Sequence, residues 1–213
     1  MPEVPKLAEV LKNITDPHRW ADSETILKVL EETPSVRGMV YGNFAEAMFA
    51  NSLIVLGIPV TDQVRDDDHA KTKSDRTFLR AGRTYTVQLK SMQTNSIKQL
   101  DDGTFKAKIQ CDASDKRPIL LPNGNTVATT CYKTGEFDIL AVPLQPFTGE
   151  WSYAYRLNAS LPRTTWRGYK DEDKPFLLAT TVPITWPLGP DWTTDLFGLL
   201  DTGGDVGFEI EHG

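Results

Sequence analysis

The segment from Thr84 to Lys90, with the sequence TYTVQLK, carries a glutamine and a lysine two positions apart in a stretch of strand character. Side chains alternate between the two faces of a strand, so Gln88 and Lys90 share one face while Val87 and Leu89 share the other. The second face is apolar and suited to a core. The first carries an amide, which can bind a cation through its oxygen, and an ammonium, which can stabilise negative charge.

An aspartate precedes this strand at the position of a hairpin partner. Residues 75–79 (DRTFL) form a second predicted strand, and the connection Arg80-Ala81-Gly82-Arg83 places a glycine where a tight turn needs one. A two-residue turn at Ala81-Gly82 sets the register so that Asp75 faces Gln88, with Lys90 one step beyond. The hairpin therefore predicts a carboxylate, an amide and an ammonium at one end of a sheet.

Helices are predicted before this hairpin. Two amphipathic patterns predict helices over 5–13 and 23–32, the second beginning at Asp22 or Ser23 and ending before Pro34. A longer helix is predicted from Val40 to Leu56, where Gly57 ends it. Its apolar positions predict packing against a sheet, and Glu46 is its one acid. The apolar positions are Phe44, Met48, Phe49, Leu53 and Leu56.

Further strands are predicted around this hairpin. Residues 58–61 predict a short strand before a polar loop that reaches residue 73, and turns at Asp102-Gly103 and Asn123-Gly124 predict two hairpins between Lys90 and residue 130. Residues 137–144 (FDILAVPL) predict the most hydrophobic strand, which turns at Gly149-Glu150 into WSYAYRL. Residues 164–213 predict an irregular extension with one short helix near 192–200.

Composition favours one globular domain with a sizeable core and a small appendage, since 39% of the 213 residues are apolar and 24% are charged. No apolar run is long enough to cross a bilayer and the first residues lack signal-peptide character, so we expect a soluble, cytoplasmic protein of a bacterial, archaeal or phage-infected cell. Cys111 and Cys131 lack zinc-type spacing and are expected to be buried thiols. The three histidines also lack ligand spacing, so any metal is expected to be held by oxygen.

Charge is unevenly distributed along the chain, although the net charge of −6 argues weakly against nucleic acid. Residues 71–100 carry one acid, Asp75, against seven basic residues: Lys71, Lys73, Arg76, Arg80, Arg83, Lys90 and Lys98. From residue 169 onward the bias reverses, with nine acids against two lysines. The basic segment around the hairpin is suited to phosphates, and the acidic end of the chain is not.

The order of these residues resembles a known nuclease superfamily. Glu46 on a helix, Asp75 opening a strand and Gln88-x-Lys90 on its partner resemble the PD-(D/E)XK superfamily in its Gln-x-Lys variant, and within it the group I intron homing endonucleases of restriction-enzyme fold. The resemblance covers about residues 40–160. The matching segments are GNFAEAMFA, SDRTFL, TVQLKS, and FDILAVPL with GEWSYAYRL.

This sequence departs from the family pattern at three places. Lys73-Ser74 stands where a proline usually precedes the aspartate, and Arg76 stands where a hydrophobic residue often follows it. An insertion with two predicted hairpins, about residues 98–130, separates Lys90 from Phe137. The helical residues 1–36 and the acidic residues 164–213 flank a core at 37–163 and have no counterpart in the resemblance.

The resemblance implies an α/β fold with a restriction endonuclease-like mixed central sheet flanked by helices. It also implies a Mg²⁺-dependent endonuclease acting on double-stranded DNA, in which Mn²⁺ may replace Mg²⁺ and Lys90 polarises water or stabilises charge on the phosphate. The implied metal ligands are Asp75, Gln88, the carbonyl of Leu89, and Glu46. The implied DNA contacts are Lys71, Lys73, Arg76, Arg80, Arg83 and Lys98.

Two alternatives stay open on the sequence. The chain could keep the fold without turnover, as a catalytically inactive DNA-binding or structural protein. A homo-oligomer, dimer or tetramer, is expected because one site cuts one strand and the apolar residues after 169 offer contact area. The other possibility is that those residues pack on their own domain.

Overall fold

The computed structural model describes residues 22–60 and 74–203, which form an α/β fold with a mixed central sheet and helices. The chain divides into two compact units, the second of which begins at Ala45. The predicted helix over 5–13, residue Thr61, and the basic residues Lys71 and Lys73 lie outside the described residues.

Helix α1, Ser23–Glu32, begins where the sequence predicts. The Asp22 carboxylate accepts a hydrogen bond of 2.7 Å from the Thr25 N–H, which satisfies one of the free donors at the helix start. Helix α2, Pro34–Val55, starts earlier than the predicted Val40. Proline is tolerated at a first helical position because no intrahelical partner for its N–H is needed there.

In its described part, the second unit contains the end of α2, nine strands, two short α-helices and three 3-10 helices. The strands are β1 (Arg76–Arg80), β2 (Arg83–Leu89), β3 (Lys98–Gln99), β4 (Phe105–Gln110), β5 (Asp112–Leu120), β6 (Thr126–Cys131), β7 (Ile139–Pro143), β8 (Tyr153–Leu157) and β9 (Thr181–Trp186). The helices are α3 (Gln145–Thr148) and α4 (Leu196–Gly203). The predicted hairpins at Gly103 and Gly124 are confirmed as β3–β4 and β5–β6.

The central sheet has the strand order β1-β2-β7-β8 and is mixed, because β2 and β7 run parallel while the other two pairs are antiparallel. Its first hairpin has the predicted register, with Arg76 opposite Val87 and Arg80 opposite Arg83. Ala81 and Gly82 both have positive φ, 49° and 78°. A two-residue turn of type I′ requires this, and its twist matches that of the strands.

One face of the central sheet packs against the second half of α2. Phe49 and Leu53 are fully buried there against Phe78, Val87 and Ile139. The Tyr153 hydroxyl also donates a hydrogen bond of 2.6 Å to the Ala45 carbonyl, which fixes the sheet to the helix backbone. The predicted apolar positions at the helix ends are not part of this contact, since Phe44 and Leu56 are exposed.

The other face of the central sheet is covered by a second layer. Leu140 and Val142 of β7 are buried against Ile109 of β4 and against Val182 and Ile184 of β9. The order β3-β4-β9 makes this layer a three-stranded sheet. All five residues of β7 are buried because both of its faces are covered, which explains its continuous hydrophobic sequence.

The chain after residue 163 contributes to the same core. Strand β9, which no sequence pattern revealed, pairs with β4 along six residue pairs from Phe105–Trp186 to Gln110–Thr181. Leu177 and Leu178 are fully buried within the chain. These two leucines therefore have contacts in their own domain and need no partner to cover them, while the oligomeric state stays a prediction.

No helix in the described ranges is long and apolar enough to span a membrane. The two cysteines, Cys111 and Cys131, are free and buried, which confirms their expected role as core thiols. Burial raises the pKa of Cys111 to about 12, so it stays a neutral thiol at physiological pH.

The packing of the C-terminal segment can be tested with Leu178→Ala. Since Leu178 is fully buried in the layer that covers β7, we expect the free energy of unfolding to fall by about 2–5 kcal/mol in urea denaturation. Leu120→Ala is the matched control, because Leu120 is 64% exposed and its truncation should cost under about 1 kcal/mol. Equal losses in both variants would contradict this packing.

Candidate active site

Asp75 and Gln88 meet at the open end of the β1–β2 hairpin, as the register predicts. The Gln88 side-chain amide donates to Asp75 Oδ2 at 2.5 Å, and the Leu89 N–H donates to the same oxygen at 2.7 Å. The Asp75 N–H donates to the Val87 carbonyl at 3.0 Å, so the aspartate is anchored through its backbone as well. One carboxylate oxygen is thus fixed by two donors from β2.

The other end of the Gln88 amide has no partner in the described part of the chain. Gln88 is 1% exposed, and its Oε1 is a buried acceptor without a hydrogen bond among those residues. Buried polar atoms in folded proteins are nearly always satisfied, and one left alone costs about 1–3 kcal/mol. Because the amide nitrogen donates to Asp75, the oxygen is the end of the side chain that lacks a partner among the described residues.

Burial governs the electrostatics of the aspartate. It raises the pKa of the Asp75 carboxyl above its ordinary value, against the opposing effects of the Lys90 charge, the Leu89 N–H and the Arg76 charge. Lys90 therefore lies close enough to act on Asp75 directly. The structure brings together three of the four predicted catalytic residues, Asp75, Gln88 and Lys90.

Lys90 also has a neighbour that the sequence did not predict. Its Nζ lies 5.6 Å from the centre of the Tyr132 ring, and the guanidinium of Arg117 lies 5.5 Å from the same centre. Tyr132 is buried, and Phe137 packs edge-on against it at 5.4 Å. Burial raises the pKa of Tyr132, so the phenol is neutral and the ring attracts both cations through its face.

Arg117 is held in this position by an acid. It forms an ion pair with Glu136, whose second oxygen accepts the Lys133 N–H at 2.7 Å. Arg117 lies on β5 and Tyr132 directly follows β6, so the hairpin insertion supplies one wall of the Lys90 site. The sequence pattern shows this insertion as a separate element. Its proximity to Lys90 depends on long-range contacts, which a local pattern does not reveal.

Glu46, the fourth predicted catalytic residue, contacts Arg76. Its carboxylate lies 3.5 Å from the Arg76 guanidinium, and Arg76 Nη1 donates to the Asp75 carbonyl at 2.9 Å. Glu46 is therefore linked to Asp75 through Arg76. The guanidinium is largely buried, with 14% of the side chain exposed, so Arg76 has a partner inside the fold as well as its predicted role towards DNA.

The predicted DNA contacts at the hairpin turn have acidic partners in the chain. Arg80 binds both carboxylate oxygens of Asp201, at 2.9 and 3.2 Å, and lies over the Phe197 ring at 4.5 Å. Arg83 pairs with Asp138 at 3.1 Å. Lys98, by contrast, is exposed on β3. The two arginines link the hairpin to α4 and to the start of β7.

Asp138 is a second aspartate at this sheet, and it has a structural role. One of its oxygens accepts the Thr86 N–H at 2.8 Å and the Thr86 hydroxyl at 2.7 Å, while the other pairs with Arg83. These bonds hold the parallel strands β2 and β7 at the register that places Gln88 beside Leu140. No sequence pattern pointed to Asp138.

Three oxygens at the hairpin end could hold a hard divalent cation. They are the Asp75 carboxylate, Gln88 Oε1 and the Leu89 carbonyl, which belongs to the same strand end as the Leu89 N–H that binds Asp75. The described ranges contain no group of three or more His, Cys, Asp or Glu placed to bind a metal. A donor set of one carboxylate and two neutral oxygens suits Mg²⁺, which keeps several waters in its shell.

No protein-family model and no curated protein matches this chain. A solved structure, that of the bacterial homing endonuclease I-Ssp6803I, resembles it with a TM-score of 0.37 and 16% identity. The similarity covers 65% of this chain and 87% of that one. A similarity this low carries no conclusion about activity, which must be argued from the side chains.

The raised pKa of Asp75 can be tested by stability measurements on metal-free protein. A raised pKa means that the folded state binds the proton more tightly than the unfolded state, so stability falls as pH rises from the ordinary aspartate pKa through the raised one. The Asp75→Asn variant has no carboxyl to ionise at this position, so its stability does not fall in this way. We therefore expect its Tm to exceed that of the wild type at pH 7, with the difference disappearing at low pH.

Asp138→Asn is the matched control for this measurement, because Asp138 is a half-buried aspartate on the same sheet. It loses the ion pair with Arg83, so its Tm should not rise at pH 7. A fall in Tm for Asp75→Asn at pH 7 would contradict the prediction, because it would show that the Asp75 charge is well compensated within the fold.

Proposed function

We propose that this chain is a metal-dependent endonuclease that hydrolyses phosphodiester bonds in double-stranded DNA. The observation that carries the proposal is the Oε1 of buried Gln88, unpartnered among the described residues and fixed beside the Asp75 carboxylate, with Lys90 two residues along the same face. A fold that leaves such an acceptor unsatisfied gains stability when a cation binds to it. Carboxylate, amide oxygen and ammonium together suit the negative charge of a phosphodiester.

A bound Mg²⁺ would supply charge neutralisation at the phosphate and acidify a water, and Mn²⁺ has similar ligand preferences. The protein's own groups have separate roles. Asp75, Gln88 and the Leu89 carbonyl supply the oxygens. Lys90 places its ammonium next to them, where it stabilises charge that develops on the phosphate and orients the attacking water. Tyr132 restricts Lys90 through contact with its ring face.

Glu46 has an indirect role in this proposal. Its ion pair with Arg76 fixes the residue next to Asp75, and Arg76 in turn donates to the Asp75 carbonyl. Loss of Glu46 should therefore loosen the position of the aspartate without removing a donor of the site. Glu46→Ala is expected to reduce cleavage less than Asp75→Asn.

Cleavage of supercoiled plasmid tests the proposal directly. Product formation should require Mg²⁺ or Mn²⁺ and stop with a chelator. Asp75→Asn and Lys90→Ala should each lower the rate at least about 100-fold, the usual effect of losing one group that stabilises transition-state charge. Lys116→Ala is the control, because Lys116 is exposed on β5 and its variant should cleave at the wild-type rate.

Wild-type cleavage rates in both Asp75→Asn and Lys90→Ala would reject the proposed site. Circular dichroism on the same samples separates loss of chemistry from loss of fold. Binding of a short duplex in the presence of chelator distinguishes loss of chemistry from loss of DNA binding, because a variant that has lost only the chemistry still binds DNA.

Gln88→Glu tests whether this side chain is a metal ligand. Without metal, two carboxylates would face each other in a buried position, so the Tm of the variant should fall at neutral pH. Mg²⁺ or Mn²⁺ should restore it and raise the Tm by more than in the wild type. Gln88→Met lacks the oxygen and should respond to the cations least. Identical responses in all three proteins would mean that Gln88 does not bind metal.

A second candidate function is a DNA-binding or structural protein without turnover. It is favoured by the single carboxylate at the site among the described residues and by the engagement of Glu46 with Arg76. This candidate predicts duplex binding with no product in either Mg²⁺ or Mn²⁺. The proposed endonuclease would act as a dimer or tetramer when both strands are cut, since the sequence holds one such set of residues.

A further inference from the structure

Three lysines lie together on the outer side of the second layer. Lys106 and Lys108 of β4 alternate with buried Ala107 and Ile109, so their side chains point away from the core. Lys98 of β3 is the cross-strand partner of Lys106. All three are exposed, and they are referred to below as the lysine face.

The lysine face is a site of uncompensated repulsion. Residues directly opposite in an antiparallel pair have Cβ atoms about 4.5–5.5 Å apart, and like charges there are destabilising. Lys106 and Lys108 are about 6.8 Å apart along their strand. None of the three forms an ion pair within 4.0 Å with a carboxylate of the described residues. A bound polyanion would remove this repulsion.

The arginines of the hairpin differ in this respect. Arg76, Arg80 and Arg83 have acidic partners in Glu46, Asp201 and Asp138. A carboxylate beside each guanidinium offsets part of its charge and so weakens its attraction for a phosphate. The lysine face has no such carboxylate among the described residues, so it is the better phosphate-binding surface of the described chain.

The lysine face borders a groove of about 590 Å³. Pro183 and Ile184 of β9 and the neutral polar residues Gln93, Ser96 and Thr185 also line it. The acids of the β3–β4 turn, Asp101 and Asp102, do not line it. A groove lined by lysines, neutral polar groups and apolar residues suits the phosphate and sugar groups of a nucleic-acid strand.

This groove lies a short distance along the chain from the candidate active site. The Gln93 N–H donates to the Lys108 carbonyl at 2.9 Å, and Gln93 follows Lys90 by three residues. Three residues span at most about 11 Å between Cα atoms. The groove and the candidate site are therefore joined by a short segment of chain.

We propose that Lys98, Lys106 and Lys108 bind the phosphate backbone of the DNA, independently of base sequence. The inference rests on the proposed function for its substrate. It adds Lys106 and Lys108 to the expected phosphate-binding residues, and it moves the main phosphate-binding surface from the arginines of the hairpin turn to the outer face of β3 and β4.

The test compares Lys98→Gln/Lys106→Gln/Lys108→Gln with the wild type in binding a short random-sequence duplex in chelator. Each bound phosphate contributes about 0.9 to the slope of log affinity against log salt, so three contribute about 2.7. Between about 50 and 200 mM salt, the wild type should lose about 40-fold more affinity than the triple variant. An unchanged slope overturns the inference.

Lys28→Gln/Lys116→Gln/Lys170→Gln is the charge-matched control, because these three lysines are also exposed. It removes the same net charge and should keep the wild-type slope; a slope lowered as far as in the first variant would mean that only net charge matters, which also overturns the inference. Lys106→Gln alone should lower the slope by about 0.9, and it provides the test if the triple variant does not fold.

Polyglutamate distinguishes an acidic protein partner from DNA. Competition by polyglutamate as effective as that by duplex DNA, at equal charge concentration, would contradict a nucleic-acid site. The plasmid assay separates the two proposals. Cleavage with an unchanged salt slope refutes the lysine face alone, whereas absence of cleavage with a lowered slope refutes the proposed chemistry and supports the lysine face.

Discussion

The register of the β1–β2 hairpin is the constraint on which the site depends. Its turn has positive φ at Ala81 and Gly82, which allows a two-residue connection and leaves no freedom for the pairing to shift. Asp75 then meets Gln88 and the Leu89 N–H at the far end. A shift by one residue would move Gln88 and Lys90 to the face covered by α2. The chemistry at one end of the hairpin is thus determined by backbone geometry at the other.

Two layers of packing hold this hairpin in place. Phe49 and Leu53 of α2 cover one face of the central sheet, and Ile109 with the residues of β9 covers the other. Asp138 adds a polar brace, because it binds Thr86 of β2 and Arg83 near the turn. The buried strand β7 and this brace together fix β2 laterally, so the fold tolerates the cost of the Gln88 oxygen that the described residues leave unsatisfied.

Local features of the fold could be predicted from the sequence, since they depend on neighbouring residues. Turn glycines located three hairpins, and strand alternation put Gln88 and Lys90 on one face. The start of α1 followed from Asp22. Contacts between distant segments could not be found in this way. Arg80 and Asp201 are 121 positions apart, and two hairpins separate Tyr132 from Lys90 along the chain.

The same distinction between local and long-range features applies to the candidate site. Asp75, Gln88 and Lys90 lie on a single hairpin, so period and turn chemistry were enough to bring them together. The state of the Gln88 oxygen, the Glu46–Arg76 pair and the acidic partners of the arginines depend on tertiary packing, which a pattern of charges does not reveal. Net local charge indicated a basic surface but did not distinguish the arginines, which have acidic partners, from lysines that have none in the described chain.

The segment between Lys90 and Phe137 supplies both the lysine face and the aromatic wall formed by Tyr132. Replacing this segment would therefore alter the lysine face and the environment of Lys90 at once. The two features share one segment of the chain, so neither can be exchanged as a separate module. A useful chimera must keep Arg117, Tyr132 and Glu136 while it changes the outer residues of β3 and β4.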